Sequence, residues 1–266
     1  MTYMVKTKHD MKTILITGST SGIGLGIAIE FAKTKQYNIV FNGLEPNGQE
    51  IADGVAKQYG IEAMYSNANM LKPEELRKMV EDAVSKFGKI DVLVNNAGIQ
   101  FVSPIEDFPE DKWNAIIGIN LTSAFHLTKA VWKGMKERKF GRIINIASAH
   151  GLVASEFKSA YVASKHGIVG FTKTIALEGA PFGITANAIC PGYVKTPLVE
   201  KQIADQAKAH SMSEADVVNK VMLMKQAVKE FVSLEELGQL AVFLASDVAK
   251  TMTGTALPVD GGWNAQ

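Results

Sequence analysis

Apolar and polar positions divide the chain into short runs rich in β-branched residues, separated by longer stretches of helical spacing. The runs "TILITG", "NIVFNG", "DVLVNNAG", "RIINIAS", "TANAICPG" and "ALPVDGG" read as strands, and "EAMYSNA" is a weaker seventh. Each ends in a turn signal. Most lead into a segment such as "GIAIEFAKTK" or "EELRKMVEDAVSKFG", whose apolar residues recur every three or four positions. Strands apolar on both faces and separated by helices predict a parallel sheet covered on both sides. The pattern predicts an α/β chain: a single-domain, doubly wound, Rossmann-like sheet of about seven strands over residues 11–266. The least sheet-like region, about 195–236, predicts a small helical insertion after the sixth strand, placed to act as a lid. The opening "MTYMVKTKHDMK" is too polar for a signal peptide, and residues 1–10 read as a loose leader.

Composition narrows the classes. With 47% hydrophobic residues in 266, the chain can bury a substantial core. A formal charge of +1 gives no general reason to expect nucleic acid or an anionic membrane as partner. The single cysteine, Cys190, excludes an internal disulfide and points to a reducing compartment, hence a cytoplasmic location. Its apolar setting, "ANAICPG", reads as an inert core thiol. No Cys/His/Asp cluster has metal-ligand spacing, so no metal is expected, and His126 and His166 read as structural.

"TILITGSTSGIGLGIAIEFA" is a strand, a glycine-rich turn and a helix in succession. Gly18, Gly22 and Gly24 let the chain turn tightly and bring backbone N–H groups to a pyrophosphate at the helix N-terminus, with Thr20, Ser21 and Ile23 adding contacts. The second strand ends "VFNGLEPNG", near where an adenosine ribose would lie. No arginine stands there to accept a 2′-phosphate, and no acid stands at the first position. Leu44 occupies the neighbourhood and Glu45 follows it. The missing cation favours NAD over NADP.

The segment "NIASAHGLVASEFKSAYVASKHG" holds the candidate chemistry. Tyr161 and Lys165, spaced i, i+4, share one helix face, where the ammonium would stabilise phenolate and lower the phenol's pKa for general base work on an alcohol. Ser148, ending a strand, can donate to the substrate oxygen, and Asn120 can hold a water linking Lys165 to solvent. His150 and Lys158 are not needed for hydride chemistry, yet they flank these groups and suit a small carboxylate; Gln100 and Gln202 can add amide donors. Each also has a structural reading: a core phenol, a solvated lysine, a turn serine, a loop histidine.

With "NNAG" at 95–98, Asn120, Ser148 and the Tyr161–Lys165 pair in this order, the chain resembles the short-chain dehydrogenase/reductase family over residues 11–264. The resemblance implies an oxidoreductase with Asn120, Ser148, Tyr161 and Lys165 catalytic. It implies cofactor contacts from the glycine turn, Leu44, Ala68, Asn69, Met70, Asn96, Ala97, Gly98, Tyr161, Lys165, Pro191, Gly192, Val194 and Thr196. Longer stretches, including "ASAHGLVAS", "KSAYVASKHG" and the terminal "DGGW", are similar to family members of ketone-body metabolism. Those members interconvert (R)-3-hydroxybutyrate and acetoacetate with NAD, by pro-S hydride transfer, commonly as homotetramers. For them the resemblance implies a carboxylate clamp of Gln100, His150, Lys158 and Gln202. Two departures stand out. Asn69 takes the place of an acid that often meets the adenine amine, and Tyr193 stands for a tryptophan while keeping an aromatic wall. The alternatives are a 3-oxoacyl-thioester reductase using NADPH, which should show arginines near the glycine turn or second strand, and a silent dinucleotide sensor, which should have lost Tyr161 or Lys165.

Overall fold

The computed structural model describes residues 11–196, 199, 203, 207 and 212–265. Seven parallel strands form one sheet in the order β3-β2-β1-β4-β5-β6-β7. They are β1 (Lys12–Ile16), β2 (Tyr37–Asn42), β3 (Ala63–Ser66), β4 (Val92–Asn95), β5 (Gly141–Ile146), β6 (Ile184–Pro191) and β7 (Ala256–Val259). Every run expected to be a strand is one, including the weak "EAMYSNA".

The strands are apolar at successive positions because each face meets its own layer of helices. Ile14, Ile16, Ile39, Phe41, Val92 and Val94 point to one core, shared with Ile27 and Phe31 of α1 (Gly22–Lys33) and Leu237 and Ala241 of α7 (Leu234–Ala245). Leu15, Val40, Leu93 and Ile143, at the alternate positions, point to the other. There they meet Leu76 and Met79 of α3 (Pro73–Phe87) and Leu127 and Val131 of α5 (Ser123–Arg138). The other helices of eight residues or more among the described residues are α2 (Gly48–Tyr59), α4 (Glu110–Ile117) and α6 (Ser159–Gly179).

Two features near the carboxyl ends of the strands matter for the site. The segment "WNAIIGINLTSAFHLTKA" has helical spacing throughout but is interrupted: α4 passes into a π turn at Gly118–Thr122 before α5 begins. Asn120 lies in that turn. The second feature is the insertion after β6. Its described part contains a short helix, Glu214–Asp216, running into a π turn at Val217–Met222. The leader 1–10 and much of 197–211, including Gln202, lie outside the described residues. The loop leaving β6 is firmly anchored, since Val232 N donates to the Tyr193 carbonyl, Lys195 N donates to the Val232 carbonyl, and the buried Gln226 accepts from Tyr193 N at 3.1 Å.

Candidate active site

The order in which strands are added to the sheet reverses between β1 and β4, and a crevice opens beyond their carboxyl ends. The turn after β1 forms one wall. Gly18 has φ +59°, a conformation that L side chains rarely adopt, and a Cβ on Gly24 would collide with the Gly18 carbonyl. The turn is stapled from outside: Asn96 Nδ2 donates to the carbonyls of Thr17 (2.8 Å) and Gly18 (3.0 Å), and Asn42 Oδ1 accepts from Gly18 N. Backbone donors are thus held against the start of α1, with no side chain in the way. Beside them lies a cleft of about 860 Å³, lined by Ser21, Ile23, Leu44, Ala68, Asn69, Met70, Ala97 and Gly98 among others. Such a cradle fits a dinucleotide's pyrophosphate and adenosine.

In this half one expected hydroxyl contact is turned away, and Asn69 is partly engaged. The Thr20 hydroxyl does not face the cleft; it donates to Glu45, whose other oxygen accepts from Ser21 Oγ at 3.1 Å. Asn69 Oδ1 already accepts from Leu71 N at 2.9 Å, leaving one lone pair for another donor. Glu45 itself supplies the acid that is missing from the first position after the second strand. Partial burial pushes its carboxyl up, but hydrogen bonds from Thr20 and Ser21 and from backbone N–H groups outweigh this and hold it below the usual range. An ionised carboxylate therefore lines the cleft next to Leu44.

The second cleft, about 960 Å³, adjoins the first through Ile23, Asn96, Gly98, Ile99 and Thr196. It brings Ser148, His150, Lys158, Tyr161 and Lys165 together with Gln100, Gly192, Tyr193, Val194 and Trp263, while Val199 and Met222 contribute from the insertion. Pro191 is buried as the last residue of β6. Tyr161 and Lys165 project from one face of α6, but the ammonium is not seated on the phenol. Lys165 Nζ donates to the Ile146 carbonyl at 2.7 Å and lies 5.6 Å from the Tyr161 ring centre. Burial lowers Lys165 to about 8. The phenol is pushed up rather than down: burial dominates, and only the hydrogen bond with Ser148 opposes it. In this geometry Tyr161 is a proton donor at neutral pH, and reverse use as a base requires further stabilisation of phenolate. Cys190, buried beneath, is pushed up to about 11 by burial and remains a thiol.

Asn120 has no free side-chain amide N–H for a water. Its Oδ1 accepts from Ile99 N at 2.8 Å, and Nδ2 donates to the Ile99 carbonyl (3.0 Å) and to Ser164 Oγ (3.1 Å). With both Nδ2 protons used, a water relay through this residue would have to donate to the remaining lone pair of Oδ1 or to the main-chain carbonyl. π turns displace the regular i→i−4 ladder and so make such carbonyls available.

At the substrate end, His150 is buried and neutral. Burial, with the charges of Lys158, Lys225 and His166, lowers it to about 4. Both ring nitrogens face serine hydroxyls: Nε2 lies 2.9 Å from Ser155 Oγ and Nδ1 3.5 Å from Ser148 Oγ. Lys158 is partly buried, and burial together with Lys225 lowers its pKa. Gln100 is exposed at the cleft edge. The structure thus gathers Lys158, His150 and Gln100, with His150 turned to its serine neighbours.

Sequence reasoning missed Glu45, Ser155, Lys225 and Trp263 as parts of the site. Trp263 closes the cleft, with its ring stacked on Tyr193 (5.9 Å, 8°) and edge-on to His150 (5.1 Å). Lys225 Nζ lies 5.6 Å over the Trp263 ring. "DGGW" was a usable signal for the tryptophan; nothing in "LMKQAV" distinguishes Lys225 from a solvated lysine.

The short chain dehydrogenase family profile matches residues 12–207. The chain is 53% identical over 257 residues to a D-beta-hydroxybutyrate dehydrogenase of Rhizobium meliloti (strain 1021), covering 96% of this chain and 99% of that protein. It is also 53% identical over 255 residues to a D-beta-hydroxybutyrate dehydrogenase of Cupriavidus necator, covering 96% and 98%. Among solved structures, a variant of actinorhodin polyketide ketoreductase with NADPH superposes with a TM-score of 0.90 at 32% identity, over 97% of this chain and 99% of that one.

Proposed function

The chain belongs to the short-chain dehydrogenase family of oxidoreductases, and within that family we propose that it interconverts (R)-3-hydroxybutyrate and acetoacetate with NAD. The observation that carries this reading is the partly buried cation Lys158, in one cleft with Ser148 and Tyr161. A lysine beside the reacting centre suits a small carboxylate and leaves a neutral thioester without a counter-charge. NAD, rather than NADP, is favoured by ionised Glu45 in the adenosine cleft, where a 2′-phosphate would meet like charge. The two relatives at 53% identity support the substrate by their names. Assembly as a homotetramer and a cytoplasmic location follow from the same family reading.

A bound nicotinamide would supply hydride transfer to or from the carbinol carbon. The chain's own residues do the rest. The glycine turn, Asn96 and the loop Gly192–Thr196 hold the cofactor. Lys158, helped by Gln100, binds the carboxylate beside the His150 ring; Gln202, the fourth residue expected in the clamp, lies outside the described residues. Ser148 donates to the reacting oxygen, and Tyr161 exchanges its proton with that oxygen. Lys165 and the Asn120 turn carry the proton onward. Val199 and Met222, in the described part of the insertion, line the cleft, where they would help to exclude water. The test is the appearance of reduced nicotinamide with a panel of hydroxy acids and both cofactors. (R)-3-hydroxybutyrate with NAD should be the best pair; indifference to the carboxylate would overturn the reading.

A further inference from the structure

Ser148, the proposed donor to the reacting oxygen, has only one proton to give, and its neighbours decide where that proton points. A hydroxyl offers one O–H and two acceptor lone pairs. One lone pair of Ser148 Oγ is filled by the backbone N–H of His150 at 3.1 Å. The other faces Nδ1 of the His150 ring at 3.5 Å. What this contact does depends on the imidazole. If Nδ1 carries the proton, the ring fills the second lone pair, and the Ser148 proton is left for the phenol and the substrate. If Nδ1 is bare, the ring is an acceptor and draws the Ser148 proton out of the cleft.

The ring cannot avoid this choice by carrying two protons. It is buried, with Lys158 and Lys225 as nearby cations, and among the described residues no carboxylate is found to act on it. It is also fixed in orientation, edge-on to Trp263 at 5.1 Å and to Tyr161 at 5.9 Å. The other ring nitrogen, Nε2, lies 2.9 Å from Ser155 Oγ in the loop between β5 and α6. A serine hydroxyl can rotate to donate there, and doing so places the single imidazole proton on Nδ1. Free histidine in water prefers the opposite tautomer, with its proton on Nε2, so this form has to be imposed by the site.

We propose that Ser155 is a positioning residue: by donating its hydroxyl proton to Nε2 it fixes His150 as the Nδ1–H tautomer, and this leaves Ser148 a donor toward the reacting oxygen. The inference rests on the reading of Ser148 as that donor. It also gives His150 a role other than bonding the carboxylate, since both its ring nitrogens face serines.

The tautomer is read directly by ¹⁵N NMR of the histidine-labelled full chain at neutral pH, with the His150 signals assigned by their loss in His150→Asn. The expected spectrum has Nδ1 protonated and Nε2 bare. Ser155→Ala should convert the ring to the Nε2–H form, and Ser155→Thr, which keeps the hydroxyl, should not. In turnover, Ser155→Ala should lower kcat by roughly three- to tenfold with KM little changed, and Ser155→Thr should restore it. A wild-type ring protonated on Nε2 overturns the proposal, as does an Nδ1–H form that survives Ser155→Ala, or an unchanged kcat. The wild-type spectrum needs neither a folded variant nor a substrate. If (R)-3-hydroxybutyrate is not oxidised, that failure falls on the substrate reading while the tautomer is still measured.

Discussion

Burial pushes the Tyr161 phenol above its ordinary value, against the single opposing bond from Ser148, so its proton is held tightly at neutral pH. Oxidation of the alcohol should therefore accelerate as pH rises through the alkaline range, while reduction of the ketone slows. Initial rates in both directions check this, and parallel profiles would contradict it. Tyr161→Phe should retain cofactor binding and lose about 10²–10⁴-fold in turnover. A second residue-scale prediction concerns Glu45. Wild type should prefer NAD by at least roughly tenfold in kcat/KM, about 1.4 kcal/mol, and Glu45→Ala should shrink that preference by relieving NADP. Ser148, Tyr161 and Lys165 were legible because they are close in sequence and one helix carries two of them. Glu45 was not legible as a cleft group, because its state is set by Thr20 and Ser21, more than twenty positions away.

Among elements, the contact between α1 and α7 depends on small residues. A Cβ at Gly26 would lie 2.7 Å from Leu234 Cβ, and one at Gly238 would strike Glu30. Gly26→Ala should thus cost about 1–3 kcal/mol through overpacking, despite the better helix propensity of alanine. Gly54, exposed in α2 with nothing near its missing Cβ, is the control: Gly54→Ala should stabilise by about 0.5–1 kcal/mol. Urea unfolding of both variants measures the contrast, and equal effects would refute the packing argument. All seven strands were readable, since burial on both faces imposes continuous apolar runs. The π turn at Gly118–Thr122 was not, because the local sequence keeps helical spacing. The turn is held in place by Asn120 bonding Ile99 and Ser164, contacts that only the tertiary fold brings together.

For the molecule as a whole, the site stores a pH liability. His150 in the fold titrates at about 4, whereas the unfolded ring takes its proton near 6.5. Between these values the unfolded state binds more protons. The stability contributed by neutral His150 is therefore complete above about pH 6.5 and is lost as pH falls toward about 4, a contribution on the order of 3 kcal/mol. Thermal unfolding of wild type and His150→Asn across this range should show a shallower pH dependence in the variant; identical slopes would mean that the ring does not remain neutral. Selection of a carboxylate substrate by a partly buried cation is the centre of the proposed function. It is tested most directly by measuring kcat/KM for (R)-3-hydroxybutyrate and for its methyl ester, in wild type and in Lys158→Ala. The acid should be far the better substrate of wild type, because the ester leaves charged and polar donors unpaired. Lys158→Ala should raise KM for the acid and scarcely alter the ester. Equal turnover of acid and ester by wild type would contradict this selection and make a 3-oxoacyl-thioester reductase the better reading.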